Sequence, residues 1–181
     1  MAGLAAALLP RGARADEQVP LGRQAELIAK VAPYDRAFAE RAGDAARVLV
    51  VHRGGDDEST HAARELQSAL GSVGNVGGLA VSVSLAPYRD APAVAQAVRD
   101  QRIAILYLAP KLLDECGAIA AALAGGSVLS VAGDAAYVSR RIVLGFELVS
   151  GKPKLVVHLD QAKQQGVSFR AEALKLMRVI E

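Results

Sequence analysis

Four short apolar runs follow one another along the chain, at residues 47–52 (RVLVVH), 80–86 (AVSVSLA), 103–109 (IAILYLA) and 128–131 (VLSV), with segments of helical periodicity between them. Runs 47–52 and 103–109 are apolar at consecutive positions, the pattern of strands buried on both faces, which occur in parallel sheets covered by helices. The intervening helices are bounded by recognisable signals. Ser59 or Thr60 is placed to cap a helix reaching Leu70, with Gly71 to stop it and a glycine-rich loop over 71–78. Pro92 opens a helix to Asp100, and a third helix spans 111–123 before Gly125-Gly126. This alternation predicts an α/β three-layer sandwich: a mainly parallel sheet, right-handed crossovers and helices on both faces.

The pattern changes toward both ends. Leu27, Ile28, Val31 and Phe38 recur at helical spacing over 23–38, with Pro33 as a kink or break. Residues 142–148 and 155–159 read as strands joined by VSGKPK, too short for a crossover helix, so they predict a C-terminal antiparallel hairpin at the sheet edge. A helix over 160–165 stopped by Gly166 and a final helix over 170–180 complete the expectation. At 181 residues, 52% apolar and 22% charged, the chain suits one domain without internal repeats.

Residues 1–15 have their own character. A short apolar stretch ends at Pro10, and Ala13-Arg14-Ala15 resembles a signal-peptidase site, although no basic segment precedes the apolar run. The stretch falls well short of the roughly 20 residues that span a bilayer, so a cleaved leader is expected rather than a stable transmembrane anchor. Its removal takes away Arg11 and Arg14 and leaves acidic and basic side chains in balance. With 4% aromatic residues, no Trp and no dense basic cluster, nucleic acid is excluded as a partner. The single cysteine, Cys116, rules out an internal disulfide and reads as a buried residue on a helix.

Candidates for chemistry are few. Arg53, Gly54 and Gly55 follow the first central strand, where parallel sheets commonly place ligands, and form the ligand-binding candidate. The competing reading is an acidic surface turn, since Asp56, Asp57 and Glu58 repel anions. The three histidines, His52, His61 and His158, lack metal-ligand spacing, and His158 reads as a partly exposed edge-strand residue. No phosphate-binding or GxSxG motif is present, and Cys116 is placed inside a helix rather than at its start. No catalytic residue, metal or cofactor is therefore nominated, and the chain is not expected to be an enzyme. Tyr137, Arg140 and Arg141, with Lys152-Pro153-Lys154, form a basic grouping near the predicted edge and are the partner-binding candidates. The alternative is a set of charges that discourages sheet-to-sheet pairing.

The order GSVLSVAG (126–133), Tyr137, IVLGFELV, GKPK, LVVHLD, QAKQQGVSF and AEALKLMRVI resembles the YfiR family of periplasmic regulators. LIAKVAPYDRAF and IAILYLAP are similar to that family's first helix and to one of its strands. The family's Gly-Gly pair corresponds here to Arg140-Arg141, its Asn after the last strand to His158 or Asp160, and its Trp-Pro and paired cysteines are absent. The resemblance implies that residues 16–181 form one exported, periplasmic regulatory domain without catalysis. Such a domain acts in cyclic-di-GMP signalling by contacting the periplasmic part of a membrane-bound signalling protein, typically a diguanylate cyclase. A homodimer is compatible with this reading. The alternative function is a periplasmic solute-binding component of a transport system, using the carboxyl edge of the parallel strands as a pocket.

Overall fold

A computed structural model describes residues 18–181; the expected leader, residues 1–15, lies outside them. The chain runs α1 (Leu21–Val31), a 3-10 turn (Ala32–Tyr34), α2 (Phe38–Ala42), β1 (Ala46–His52), α3 (Asp57–Val73), β2 (Asn75–Val76), β3 (Leu79–Pro87) and α4 (Ala91–Asp100). Next come β4 (Ile105–Leu108), a 3-10 turn (Leu113–Glu115), α5 (Cys116–Leu123), β5 (Leu129–Ala132), α6 (Ala135–Val138) and β6 (Leu144–Val149). The last elements are β7 (Lys152–His158), α7 (Leu159–Gln164), α8 (Ala171–Leu174) and β8 (Met177–Ile180).

All eight strands join one sheet in the order β2-β3-β1-β4-β5-β6-β7-β8. Strands β3, β1, β4, β5 and β6 are parallel, and β7 returns antiparallel to β6. The predicted α/β class and the C-terminal antiparallel pair are therefore present. One face packs Ile28, Leu66 and Leu70 from α1 and α3, with Ala162 and Ala173 from α7 and α8, against Val50, Tyr107 and Phe146. The other packs Val94, Val98, Ile119 and Leu123 from α4 and α5 against Leu49 and Leu106. Burial of these aliphatic groups, at roughly 25 cal/mol per Å², is the main favourable contribution to the fold.

Several expectations are corrected. The expected final helix over 170–180 is the one-turn α8 followed by β8, which pairs parallel to β7. Met177 turns into the core while Arg178 reaches Glu147 across the opposite face, a period of two rather than 3.6. The hairpin is therefore internal, and β8 forms the edge. The 71–78 loop also resolves differently: α3 runs through Gly71 to Val73, and Gly74 at φ 77° provides the left-handed residue that ends it. Gly77 and Gly78, both at positive φ, turn β2 into an antiparallel hairpin with β3. The cap of α3 is Asp56, which accepts from Ser59 N at 2.8 Å, so Ser59 and Thr60 lie inside the first turn. Of the two outcomes expected at Pro33, the break is the one found, since a 3-10 turn there separates α1 from α2. The helix expected over 111–123 is shortened because Lys111 takes a left-handed conformation, φ 72°, and a 3-10 turn precedes α5. Cys116 consequently opens α5 rather than sitting inside it.

Two segments far apart in sequence, the stretch after α1 and the stretch after α7, meet at the amino side of the sheet. Asp35 Oδ1 accepts from Ser168 N and Ala37 N, while its Oδ2 pairs with Arg41 at 2.6 Å. Arg41 also donates to Ser127 Oγ and the Gly166 carbonyl. Both side chains are almost wholly buried, so this is an internal ion pair with its hydrogen-bonding capacity used.

Candidate functional site: the carboxyl end of the parallel strands

The connection from β1 to β3 uses α3 on one face, whereas that from β3 to β4 uses α4 on the other. The chain thus diverges between β1 and β4, the position where open parallel sheets form a crevice. Arg53, Gly54 and Gly55 sit at this point, but the crevice is braced by the protein's own groups. Ser59 Oγ, fully buried, accepts from Arg53 N at 2.9 Å and donates to the Pro110 carbonyl at 2.7 Å, joining the loops after β1 and β4. The Arg53 guanidinium donates to the Lys111 carbonyl at 2.7 Å and pairs with Glu115, whose hydrogen bond raises the Arg53 pKa. Gly54 lies against Pro87, and Gly55 provides the positive-φ turn. With Asp56 capping α3 and Asp57 and Glu58 in its first turn, the positive end of that helix is already met by carboxylates. An anion gains little here.

A cleft of about 590 Å³ opens beside this brace, at the carboxyl ends of β4 and β5. The segment before α1 forms one wall, α3 contributes Glu58, His61 and Glu65, and the start of α6 contributes Asp134 and Ala136. Its floor carries a buried polar pair: Tyr107 Oη donates to Gln24 Oε1 at 2.7 Å, and Gln24 Nε2 donates to the Val19 carbonyl at 2.7 Å. Complete burial drives the Tyr107 pKa far upward, so this phenol stays a neutral donor. Gly133 makes the arrangement possible, since a Cβ there would stand 2.9 Å from Tyr107 Oη and 3.1 Å from Gln24 Nε2. On the rim, Lys111 pairs with Glu58 at 2.7 Å, which raises the lysine pKa. A second, more polar groove of about 760 Å³ continues past Gly133 and Asp134 toward the β6–β7 turn. Gln24, Tyr107 and Gly133 were not singled out from the sequence. Only the Gly133-Asp134 pair following a buried strand hinted at a special backbone position.

The partner-binding candidates are dispersed. Tyr137 is buried, accepting from Leu112 N at 3.2 Å and donating to the Ala109 carbonyl at 3.4 Å, and burial raises its pKa. Arg140 is exposed. Arg141, at φ 75°, donates to Gln161 and Gln164 on α7. Measured from the start of β6 at ~3.3 Å per residue, Lys154, opposite Glu147, lies roughly 10 Å along the strand and Lys152, opposite Val149, roughly 16 Å. The expected basic grouping with this turn does not form.

The remaining titratable candidates are internal braces or isolated surface groups. His158 is buried rather than edge-exposed, and its Nδ1 caps α7 by accepting from Gln161 N. Burial, then the nearby Arg141 charge, lowers its pKa. His61 is exposed on α3, and His52 meets Thr60 at 3.3 Å. Among the described residues no three His, Cys, Asp or Glu side chains group as a metal site, and no helix is long and apolar enough to cross a membrane. Cys116 is fully buried, its thiol donates to the Leu112 carbonyl, and burial pushes its pKa up to about 12.

Fold and site together define a doubly wound α/β module with a ligand-sized cleft at the carboxyl ends of its parallel strands. The YfiR/HmsC-like family model matches residues 24–178, and the chain belongs to that family. Among solved structures, a conserved domain protein from Vibrio cholerae O1 biovar El Tor superposes with TM-score 0.63 at 14% identity, covering 90% of this chain and 60% of that one. An ABC domain in complex with L-Trp from Streptococcus pneumoniae gives 0.62 at 13% identity, covering 89% and 62%. The ligand-free, open structure of CD0873, a substrate binding protein with adhesive properties from Clostridium difficile, gives 0.57 at 11% identity, covering 80% and 57%. At these identities the likeness concerns the fold, and the chain spans about 60% of the first two structures' lengths. No curated protein sequence matches the chain.

Proposed function

We propose that this chain is an exported, periplasmic regulator that controls a membrane signalling protein by reversible contact and performs no catalysis. Membership of the YfiR/HmsC-like family carries the reading and implies a periplasmic regulator. A diguanylate cyclase with a periplasmic sensor region is the expected target, and residues 1–15 are the expected leader. The contact surface is the rim of the 590 Å³ cleft, where Glu58, His61, Glu65, Lys111 and Asp134 present mixed charge around an apolar wall. The neighbouring Arg53 network supports this choice, because it occupies the switch-point crevice with internal hydrogen bonds.

The test adds the purified chain to membranes carrying such a cyclase and measures cyclic-di-GMP synthesis. Parent protein is expected to change the output, and Ala62→Arg or Ala136→Arg, both on the cleft wall, to abolish the effect while retaining the parent melting temperature. Unchanged output at saturating chain, with no co-elution after detergent extraction, overturns the proposal.

The solute-binding reading has one observation in its favour. The cleft has the volume of a small-molecule site, and the structural neighbours include a substrate binding protein and an L-Trp complex. A panel of amino acids and small metabolites separates the two: a saturable rise in melting temperature supports solute binding, following RT ln(1 + [L]/Kd).

A further inference from the structure

The chain itself does not use all the hydrogen-bonding capacity on the floor of the 590 Å³ cleft. Gln24 and Tyr107 are 2% and 1% exposed, and both line the cleft. A side-chain amide carries two N–H groups, and a phenol both donates and accepts. Gln24 Nε2 gives one hydrogen to the Val19 carbonyl, and Tyr107 Oη donates to Gln24 Oε1. One amide N–H and the accepting side of the phenol oxygen therefore have no partner among the described residues. Gly133 leaves the way to them open. It is not one of the glycines at positive φ, so the backbone conformation does not demand it. A Cβ there would instead fill the space 2.9 Å from Tyr107 Oη and 3.1 Å from Gln24 Nε2.

The walls leave one sign of charge over. Three carboxylates, Glu58, Glu65 and Asp134, line the cleft against Lys111 and His61. Lys111 is paired with Glu58 at 2.7 Å, and the His61 side chain is 82% exposed, where solvent screens it. Arg53, beside the cleft, is taken up by Glu115. Asp134 directly follows Gly133 and is half-buried. Its Oδ1 caps α6 by accepting from Ala136 N at 2.6 Å, and its Oδ2 has no partner among the described residues.

We propose that the cleft is a site for a small organic amine with an apolar body and no carboxylate. Its ammonium group donates to Asp134 Oδ2 and to Tyr107 Oη, and its apolar part lies against Leu21, Ala62 and Leu113 on the walls. Gln24 Nε2 is left to donate to an oxygen of the ligand. A carboxylate on the ligand would meet Asp134 and Glu65 with no unpaired Lys or Arg among the lining residues to receive it. The inference rests on the solute-binding reading of the cleft. It also suits a regulator, since the ligand sits beneath the rim assigned to the partner.

Three matched probes, titrated into the isotope-labelled chain and followed by nuclear magnetic resonance, test the assignment. L-phenylalaninol is a cation, L-phenylalanine carries a carboxylate in place of its hydroxymethyl group, and 3-phenylpropionate is an anion. L-phenylalaninol is expected to shift the Gly133 backbone and Gln24 side-chain amide resonances saturably, with a Kd at least about tenfold below that of either carboxylate. Asp134→Asn keeps an oxygen to cap α6, so it should hold the parent melting temperature and weaken L-phenylalaninol by about tenfold. Asp160→Asn removes the same charge from α7, outside the cleft, and should leave the Kd unchanged. Equal weakening in the two variants overturns Asp134 as the anchor. If L-phenylalanine or 3-phenylpropionate binds at the cleft as tightly as L-phenylalaninol, the solute-binding reading stands and the amine assignment falls. No shift at the cleft with any of the three overturns the inference, and the wider panel of metabolites then decides the solute-binding reading separately.

Discussion

Arg41→Ala strands a carboxylate that has no water to turn to. Asp35 is 0% exposed at its side chain and Arg41 3%, so the solvent screening that makes surface ion pairs nearly neutral does not operate. Removing one partner of such a pair costs about 3–5 kcal/mol, because the remaining charge stays buried and unpaired. The substitution also deletes donors to Ser127 Oγ and the Gly166 carbonyl, which tie α2 to the loops before β5 and after α7. For a chain of this length, roughly 2–4 °C per kcal/mol gives a fall in melting temperature of about 6–20 °C. Urea titration followed by circular dichroism is the assay, with the midpoint falling while the slope is unchanged. Asp35→Asn keeps an oxygen for Ala37 N and Ser168 N but faces the guanidinium with an amide, so it should be costly too. Combining Asp35→Asn with Arg41→Met should cost less than the sum of the two single changes, by about 2 kcal/mol of coupling. A loss below about 1 kcal/mol for Arg41→Ala, the range of exposed pairs, or strict additivity in the double variant, would refute the reasoning.

Gly133→Ala is expected to cost about 1–3 kcal/mol by pushing its Cβ into the Tyr107–Gln24 hydrogen bond, and a urea midpoint equal to the parent's would contradict the packing inferred for the cleft floor. Gln165 buries both polar atoms of its side-chain amide without a hydrogen-bond partner among the described residues, so Gln165→Met should raise stability by on the order of 1 kcal/mol; a lowered midpoint argues against this. His158 has a folded pKa held below its ordinary 6.5, first by burial and then by Arg141, so the unfolded chain takes up the proton first. Stability is therefore complete above about pH 6.5 and declines as pH falls through the folded value. His158→Asn, which keeps an acceptor for Gln161 N, should remove this component from the difference in urea midpoint between pH 7.5 and 5. Identical differences in parent and variant would refute it.

The central strands were legible because strands buried on both faces must be apolar at consecutive positions, and 47–52 and 103–109 satisfy that without local ambiguity. The C-terminus was not. In AEALKLMRVI, apolar residues are spaced for a helix as well as for a strand, and no Gly or Pro marks the turn at Lys175-Leu176. Tertiary pairing with β7 decides the outcome there. The glycine-rich 71–78 stretch failed for a related reason: Gly71 is tolerated inside α3, while Gly74, Gly77 and Gly78 are the residues with positive φ, and composition does not distinguish them. For the candidate site, sequence placed Arg53 correctly beyond β1 but not its engagement by Lys111 and Glu115, 58 and 62 positions away. Gln24 and Tyr107 are separated by 83 positions, so their pairing has no local signature.

The departures from the family pattern acquire a physical meaning in this arrangement. Arg141 stands where the resemblance places the second residue of a Gly-Gly pair, and its φ of 75° is a conformation that glycine reaches freely and other residues reach at a cost of about 1–2 kcal/mol. Its guanidinium offsets part of that cost by bonding Gln161 and Gln164. Of the two residues that the resemblance sets against the family's Asn, His158 caps α7, a place where Asn is a favoured residue. Gln161 links the two, accepting from Arg141 and offering its backbone N–H to His158. Arg141 is thus turned toward α7, and Tyr137 is held inside by the Leu112 and Ala109 backbone. Of the three residues first assigned to partner binding, Arg140 alone has no bracing bond from its side chain among the described residues. That shifts the expected contact surface from this corner to the rim of the cleft, where carboxylates and Lys111 surround open volume.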